Sequence, residues 1–538
     1  MNQMYKFLFK VHVISALIIL STGYSKAQTL NLIPYPSQVE VLKGNCVLNN
    51  SQLFTNNKEL SGLLLFFNEE IGLPPKNSHI PKQVIDLKIQ PSLNVYGSYE
   101  LVTFEKKVAI TAPDSAGLFN GLITLLQIYK SAKLVNNKLV LPHLVIHDQP
   151  RFGWRGFMLD ESRHFFGKQI VKELLDWMAF YKLNRFHWHL SDSQGWRIEI
   201  KKYPLLTTVG GKGNFTDSTA RASYYTQEEI REIVAYAKDR FITIIPEIDM
   251  PGHATAATRA YPSLSGGDAP GYPGFTFDPA NDETYAYLTD ILKEIRSLFP
   301  SGIIHLGGDE VAFGIAAWGK NPGVAKLMAA NQMTDLNQAE YYFLRRIGDS
   351  VLKFSSTLMC WDEAVSAGLP VSNTYISWWR QNKPESLNEA ISKGYKVVLC
   401  PRLPLYLDFV QDSTHRSGRK WDKKKFNSYL DIYHFPENSI ATGFSDMTNI
   451  IGLQGNLWTE TVISEKRLQY LIFPRMASLA EAGWTAGSAK DDSLFNIRLK
   501  AHLLLYNEKN IYYYNPFHPD QHPEPIDVKK KGDLVTSK

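Results

Sequence analysis

The chain has 538 residues, of which 44% are hydrophobic and 21% are charged. This composition is ordinary for a soluble globular protein, and the length indicates more than one domain unless a large barrel takes up most of it. Residues 1–27 hold three lysines and no acidic residue, so removing them leaves 55 basic and 53 acidic residues and lowers the formal charge from +5 to +2. No concentrated basic surface is indicated, and we expect no binding of nucleic acid.

The first 27 residues are predicted to be a signal peptide. Lys6 and Lys10 precede an apolar stretch at residues 11–20, and small residues at 25–27 suit a cleavage site. The apolar stretch is shorter than the ~20 residues that a helix needs to span a bilayer. We therefore expect an exported protein, periplasmic or secreted, with no transmembrane segment after cleavage.

Residues 28–150 are predicted to form a small α+β domain. Short strand-like runs alternate with turn residues, and Asp114 is a good N-cap for the amphipathic helix that follows it. Pro150 marks the domain boundary. The strands are predicted at residues 39–42, 84–89, 99–104, 108–111 and 139–146.

Residues 151–510 are predicted to form the main domain, a (β/α)₈ TIM barrel. Strands and helices alternate regularly, which is typical of a parallel sheet, and eight strands favour a closed barrel over an open doubly wound sheet. The strands are predicted at residues 156–159, 185–190, 242–248, 303–306, 357–361, 374–378, 396–399 and 451–458. The helices are predicted at residues 168–181, 227–239, 282–298, 337–354, 385–392, 465–481 and 494–507.

Two segments depart from this regularity. Residues 401–449 separate the last two predicted strands, and a loop of that length in a barrel usually has a function or carries a small subdomain. Residues 511–538 are predicted to be a C-terminal tail, in which the three lysines at 529–531 form a frayed end.

An acidic pair follows the fourth predicted strand. Asp309 and Glu310 come after Gly307-Gly308, and in a barrel the C-terminal ends of the strands form the floor of the active site. Two adjacent carboxylates repel each other, which raises the pKa of at least one. We therefore expect one to act as a proton donor while the other stays charged.

The other strand ends also carry polar groups. His187 and His189 lie two apart on a strand and face the same way. With Asp192, Glu247 and His253 nearby they could form the site of a metal-dependent amidohydrolase. We prefer to interpret the imidazoles as groups that orient the acidic pair, in a site with no metal and no cofactor.

Tryptophans occur at three further strand ends, at Trp361, Trp379 and Trp458. They could fill the core, but beside two carboxylates they suit a sugar pocket, because aromatic faces pack on the apolar side of a pyranose. The expected partner is therefore a carbohydrate substrate. A homodimer is left open.

Several motifs together resemble the family 20 glycoside hydrolases, the β-N-acetylhexosaminidases. The resemblance runs from Leu32-Ile33-Pro34-Tyr35-Pro36 to about Trp484. The residues that carry it are Arg151-Phe152-Gly153-Trp154-Arg155-Gly156, Leu159-Asp160-Glu161-Ser162-Arg163-His164, His187-Trp188-His189-Leu190-Ser191-Asp192, Pro251-Gly252-His253, His305-Leu306-Gly307-Gly308-Asp309-Glu310-Val311 and Trp458-Thr459-Glu460.

The resemblance implies an α+β domain before a (β/α)₈ barrel, and an exo-acting, retaining hydrolase that releases terminal GlcNAc or GalNAc. In this family the substrate's own acetamide oxygen attacks C1 in place of an enzymic nucleophile. By motif, Glu310 corresponds to the general acid and base. Asp309 corresponds to the partner that holds the acetamide N–H and stabilises an oxazolinium-like intermediate.

The resemblance also assigns the pocket around the acidic pair. Tyr406 would hydrogen-bond the acetamide oxygen, with Trp378 as an alternative to Trp379 in the tryptophan pocket. The tryptophans of that pocket are Trp361, Trp379 and Trp458; Arg155, Asp408 and Glu460 would bind sugar hydroxyls; Asp192 and His253 would support the acidic pair.

Two other functions fit the same barrel. An ordinary double-displacement glycosidase would need a second carboxylate from a distant strand end, and none follows the seventh predicted strand at Pro401-Arg402-Leu403-Pro404. A glycan-binding protein without activity would keep the pocket but has no use for the acidic pair.

Overall fold

The structure, a computed structural model, describes residues 30–49, 53–71, 83–93, 95–136, 138–354, 357–420, 426–438 and 447–525, and the backbone of strand Leu534–Thr536. The predicted signal peptide and the lysines at 529–531 lie outside these residues. Within the described part of the chain, no helix is both long enough and apolar enough to cross a membrane.

The N-terminal part contains a six-stranded sheet with one long helix. Helix Ser115–Ser131 begins as predicted, because Asp114 accepts a hydrogen bond from the N–H of Gly117 at 2.7 Å. Residues 116–129 of this helix are all buried, and Gln127 donates to the carbonyl oxygen of Phe180 in the barrel at 2.8 Å. The helix is therefore fixed between the sheet and the barrel. In spatial order the main strands are Gln38–Asn49, Lys138–Asp148, Tyr99–Phe104, Lys107–Ala112 and Asp86–Ile89, with Lys133–Val135 beside Lys138–Asp148.

Eight parallel strands close into a barrel, which confirms the predicted fold. Because parallel strands share one direction, all their C-terminal ends meet at the same mouth, and loops from every strand can contribute to one pocket. In chain order the strands are β1 (Trp154–Asp160), β2 (Arg185–His189), β3 (Thr243–Glu247), β4 (Ile303–His305), β5 (Thr357–Trp361), β6 (Thr374–Trp378), β7 (Lys396–Leu399) and β8 (Ile450–Leu457).

Helices surround the barrel at the predicted places, with one difference. The run predicted as a single helix at 465–481 is two helices, Glu465–Ile472 and Arg475–Trp484. Pro474 separates them, because proline lacks the N–H that would continue the first helix. The other main helices are Lys168–Phe180, Gln227–Lys238, Asp282–Leu298, Leu336–Leu352, Pro384–Ser392 and Asp492–Glu508.

Several shorter strands and helices lie in the loops. A hairpin, Ser265–Ala269 with Tyr272–Phe277, follows β3, and strand Gly418–Lys420 and helix Tyr429–Tyr433 lie between β7 and β8. Other short elements are the α-helices Leu64–Glu70, Leu205–Thr208, Thr255–Ala260, Ile315–Trp318, Pro322–Ala330 and Arg402–Leu405, and the strand pair Leu53–Phe54 with Gln83–Val84.

The described part of the C-terminal tail packs against the rest of the protein. Ile511, Tyr513 and Tyr514 are buried, and the N–H of Tyr514 donates to the carbonyl oxygen of Phe473 at 3.0 Å. Strand Leu534–Thr536 pairs in parallel with Gly418–Lys420. The tail thus contacts the long segment between β7 and β8.

Candidate active site

The acidic pair lies where β4 ends, at the barrel mouth. Gly307 and Gly308 adopt positive φ angles of 68° and 88°, and a Cβ on Gly307 would lie 1.8 Å from Oδ1 of Asp249. Only glycine fits such a close approach. The turn brings Asp309 into a buried position, while the side chain of Glu310 remains 37% exposed.

His253 connects the pair to a buried carboxylate. Its Nε2 lies 3.5 Å from Oε2 of Glu310 and 3.9 Å from Oδ2 of Asp309. Its Nδ1 lies 3.1 Å from Oδ1 of Asp192. Asp192, His253 and Glu310 therefore form a line along which a proton can be held or moved. This placement agrees with the supporting roles expected for Asp192 and His253.

The two carboxyls of the pair differ in acidity. Burial raises the pKa of Asp309 to about 6, helped by the charge of Glu310 and opposed by His253. Burial also acts to raise the pKa of Glu310, but the hydrogen bond and charge of His253, with the charge of Arg163, lower it overall. The pKa values of the two carboxyls thus differ, as expected for adjacent acidic residues. The raised pKa, however, belongs to Asp309 and not to the expected acid, Glu310.

Asp249 is a third carboxyl beneath the pair. Burial, followed by the charge of Asp309, raises its pKa well above the ordinary value. Its Oδ1 accepts a hydrogen bond from the N–H of Gly308 at 3.3 Å. The sequence assigns Asp249 no role, because nothing in the sequence shows that it lies beside Asp309.

A network around Glu247 forms the floor of the site. Its Oε2 lies 2.6 Å from Nδ1 of His189 and 2.9 Å from Nε2 of His187. Its Oε1 accepts the indole N–H of Trp361 at 2.8 Å and lies 3.2 Å from Nδ1 of His305. Burial opposes the charge on Glu247, but the three imidazoles outweigh this and hold its pKa well below the usual range. The network fixes the orientation of Trp361.

The same groups could also hold a cation. Within the described residues, three sets have ligand atoms close enough to share one ion: His187, Glu247 and His305; His189, Asp192 and Asp249; Asp249, His253 and Asp309. In the second set, both ring nitrogens of His189 already contact carboxylates, Glu247 at 2.6 Å and Asp192 at 3.0 Å. These contacts suit the orienting role that the sequence favours.

The three expected tryptophans line one apolar pocket with Tyr406. The ring of Trp379 stacks on Tyr406 at 6.4 Å, and Trp361 lies 6.0 Å from Trp458. The indole N–H of Trp378 instead donates to the carbonyl oxygen of Lys383 at 3.3 Å. The structure therefore brings Trp379, and not Trp378, to the pocket, and it places Tyr406 there despite its position in the long loop.

Asp408 and Glu460 meet at Arg419, and we call these three residues the hydroxyl cluster. Nε of Arg419 lies 3.4 Å from Oδ2 of Asp408, and its Nη2 donates to Glu460. Burial raises the pKa of Asp408 to about 7, with Arg419 opposing and Glu460 adding to the shift. Both carboxylate oxygens of Asp408 and Oε2 of Glu460 are buried but accept no hydrogen bond from the described residues. They are suited to bind donors such as sugar hydroxyls.

The expectation for Arg155 is wrong. This residue is the second of β1, at the end of the barrel opposite the mouth. Its Nε donates to the carbonyl oxygen of Lys182 at 2.8 Å, its Nη1 donates to that of Phe152 at 2.8 Å, and the guanidinium lies 4.9 Å from the ring centre of Trp484. Its donors are used far from the acidic pair, so it cannot bind the same sugar.

Arg163 occupies the position expected of Arg155. It follows the C-terminal end of β1, and its Nη2 lies 2.7 Å from Oδ2 of Asp192. Its guanidinium lies 4.9 Å from the ring centre of Trp458, and its charge acts on Glu310. The direction of the strand could have identified Arg163, because only residues after a strand's C-terminal end reach the mouth.

Known proteins share sequence with most of this chain. A β-hexosaminidase of Porphyromonas gingivalis is 35% identical over 79% of this chain and 55% of its own length. A β-hexosaminidase of Vibrio furnissii is 34% identical over 85% of this chain and 77% of its own. The chain thus spans little more than half of the first relative.

A solved structure has the same fold. The family 20 exo-β-N-acetylglucosaminidase from Vibrio harveyi, in complex with N-acetylglucosamine, superposes with a TM-score of 0.81 at 31% identity, over 93% of this chain and 82% of that one. The family model "Glycosyl hydrolase family 20, domain 2" matches residues 29–149, and the model "Glycosyl hydrolase family 20, catalytic domain" matches residues 152–487, which include the acidic pair, the tryptophan pocket and the hydroxyl cluster. The chain therefore belongs to glycosyl hydrolase family 20.

Proposed function

We propose that the protein is an exo-acting, retaining β-N-acetylhexosaminidase that releases terminal β-linked GlcNAc or GalNAc by substrate-assisted catalysis. The observation that carries this proposal is that the acidic pair lies close enough to the tryptophan cluster and to the hydroxyl cluster for their charges to interact: the charge of Asp309 acts on Tyr406, and that of Arg419 acts on Glu310. The names of the relatives, β-hexosaminidase and exo-β-N-acetylglucosaminidase, support the same activity.

The acetamido arm of the substrate fits the pocket beside Asp309. Trp361, Trp379 and Trp458 offer apolar walls for the acetyl methyl group, and the Tyr406 hydroxyl can donate to the acetamide oxygen. Oδ1 of Asp309 is buried and has no hydrogen-bond partner among the described residues. It can accept the acetamide N–H, and such a contact stabilises the ionised form of Asp309.

The reaction then needs no nucleophile from the enzyme. The acetamide oxygen attacks C1, the bond from C1 to the leaving oxygen breaks, and Glu310 gives that oxygen its proton. The negative charge of Asp309 stabilises the positive oxazolinium ring. Glu310 next takes a proton from water, whose oxygen attacks C1, and the acetamide is restored. Two inversions at C1 retain the β-configuration.

His253 can supply the proton that Glu310 needs. Burial disfavours the charged imidazole, but the charges of Asp192 and Asp249 outweigh this and hold the pKa of His253 well above its ordinary value. Its Nε2 faces Oε2 of Glu310 at 3.5 Å. A bound substrate shields Glu310 from water, which raises the pKa of that carboxyl and draws the proton towards it.

A comparison of three nitrophenyl glycosides tests this function. We expect hydrolysis of the β-linked N-acetylglucosaminide and N-acetylgalactosaminide, and none of the β-glucoside, which lacks the acetamido arm. The rates should be the same in the presence of a chelator. Equal cleavage of the glucoside would indicate an ordinary double-displacement glycosidase, and binding without hydrolysis would indicate a glycan-binding protein.

We also propose that the protein is exported to the periplasm or the medium. The predicted leader supports this, with its basic start, short apolar stretch and small residues at the cleavage site. The sequence leaves a homodimer open, and the proposal does not include one.

Exchanging the two arginines for lysine tests the corrected assignment. Arg163→Lys keeps the charge but loses the planar fork, so we expect kcat/KM on the N-acetylglucosaminide to fall by about tenfold or more. Arg155→Lys is the matched control, and it should lower Tm with little effect on kcat/KM, because Arg155 binds carbonyl oxygens at the far end of the barrel. The assignment fails if the control loses as much activity as Arg163→Lys at an unchanged Tm.

A further inference from the structure

A buried ion pair joins the C-terminal tail to the barrel. The side chain of Arg467 is 0% exposed and that of Glu524 is 5% exposed, and Nη1 of the arginine donates to Oε1 of the glutamate at 3.0 Å. The same Nη1 donates to the carbonyl oxygen of Pro525 at 2.8 Å. Such a pair is held firmly, because separating two desolvated charges leaves each without compensation.

The ion pair also holds the two chain segments that lead to the hydroxyl cluster. Glu524 accepts hydrogen bonds from the backbone N–H groups of Arg416 and Ser417, the latter at 3.1 Å. Arg467 donates to the carbonyl oxygen of Ser417 at 2.9 Å and to that of Thr461 at 2.9 Å. Ser417 lies two residues before Arg419, and Thr461 directly follows Glu460.

Little room is left for the segment between Ser417 and Arg419. Gly418 has a φ of 117°, and a Cβ there would lie 3.2 Å from the carbonyl oxygen of Asp408 and 3.3 Å from Nη2 of Arg467. The backbone of Arg419 bonds that of Asp408 at 3.3 Å and that of Val410 at 3.0 Å. A shift at Ser417 is therefore passed on to Arg419 and to the carboxylates that it contacts.

We propose that Glu524 is a positioning residue for the sugar site: through Arg467 and the backbone at 416–417 it sets the place of Arg419 and so of the hydroxyl cluster. The proposal rests on the proposed function, since it assigns the C-terminal tail to the recognition of sugar hydroxyls. It gives the tail a part in substrate binding that the barrel loops alone do not supply.

Two substitutions at Glu524 and one control test this. Glu524→Ala removes the anchor, Glu524→Gln keeps its size but loses its charge, and Asp520→Asn changes an exposed acidic residue of the same tail. We expect Glu524→Ala to raise KM for the nitrophenyl N-acetylglucosaminide by about tenfold, the worth of one charge-assisted hydrogen bond, with a smaller change in kcat. Glu524→Gln should change KM in the same direction by less, and Asp520→Asn should match the wild type.

Deoxy substrates separate positioning from a general loss of stability. The 3-, 4- and 6-deoxy N-acetylglucosaminides each lack one hydroxyl. If Glu524 positions the hydroxyl cluster, the loss of kcat/KM in the Glu524 variants should be smallest on the deoxy substrate that the wild type binds worst. That substrate already lacks the hydroxyl that the cluster would bind. Glu524→Gln provides this measurement if the alanine variant does not fold.

Two results would overturn the proposal. One is a wild-type KM in both Glu524 variants. The other is a loss of kcat/KM by the same factor on the parent and on every deoxy substrate, because a smaller amount of folded enzyme would produce that result without any change at the sugar site. A failure of the proposed function is seen separately, since the wild type would then not hydrolyse the parent N-acetylglucosaminide at all.

Discussion

Replacing Asp309 with Asn is expected to lower kcat on N-acetylhexosaminides by roughly 10²-fold or more, which is the range for losing a preorganised charge at a developing transition-state charge. The amide keeps the shape of the side chain but cannot balance the positive oxazolinium ring. The NH₂ group of the amide is a hydrogen-bond donor and cannot accept the acetamide N–H, whereas Oδ1 of Asp309 has no partner among the described residues and can accept it. Steady-state kinetics on the nitrophenyl N-acetylglucosaminide measure the loss, with Tm as the check on folding.

The pH profile gives the same substitution a second readout. Because burial raises the pKa of Asp309 to about 6, kcat/KM of the wild type should fall as the pH drops below that value and the carboxyl takes up a proton. The Asn variant has no such group, so its residual activity should lack this acidic limb. Near-normal kinetics in the variant, or an unchanged acidic limb, would contradict the role of Asp309.

A cyclised thiazoline mimic of the intermediate tests the same contact without turnover. We expect the wild type to bind it more tightly than it binds the product sugar, and the Asn variant to lose much of that preference. Equal affinity of the two proteins for the mimic would mean that Asp309 does not hold the acetamido arm.

The barrel could be predicted because its signal is local and repeated. Short apolar strands alternate with capped helices, and this pattern placed all eight strands. The acidic pair was found for the same reason, since it directly follows a strand and two glycines. The apolar spacing continues through Pro474 and so predicts one helix at 465–481, but proline ends the first helix there and the chain forms two.

The features of the site that the sequence does not predict depend on the direction of a strand and on contacts between residues far apart in the chain. Arg155 and Arg163 both belong to motifs around β1, but only Arg163 follows the end of the strand that faces the mouth. Arg419 lies in the long segment between β7 and β8, where no periodicity sets the register. The split of pKa values between Asp309 and Glu310 depends on His253, whose contacts with both carboxyls come from the fold.

Replacing Glu310 with Gln is expected to lower kcat/KM on substrates with poor leaving groups by roughly 10²- to 10⁴-fold, the usual contribution of a general acid. A sugar leaving group, as in a β-linked disaccharide of GlcNAc, needs a proton when its bond to C1 breaks. A nitrophenolate or dinitrophenolate leaves as a stable anion, so the first chemical step should suffer far less. Rates for a series of aryl N-acetylglucosaminides measure this dependence on leaving-group pKa.

The two variants should therefore differ in how their rates depend on the leaving group. Loss of Asp309 weakens attack by the acetamide oxygen whatever group departs, so the Asn variant should be slowed by a similar factor across the series. Loss of Glu310 should steepen the dependence on leaving-group pKa, because the proton no longer arrives. If the rate of both variants fell by a similar factor across the whole series, Glu310 would not be the proton donor. The free carboxyl with the raised pKa, Asp309, would then be the better candidate for the acid.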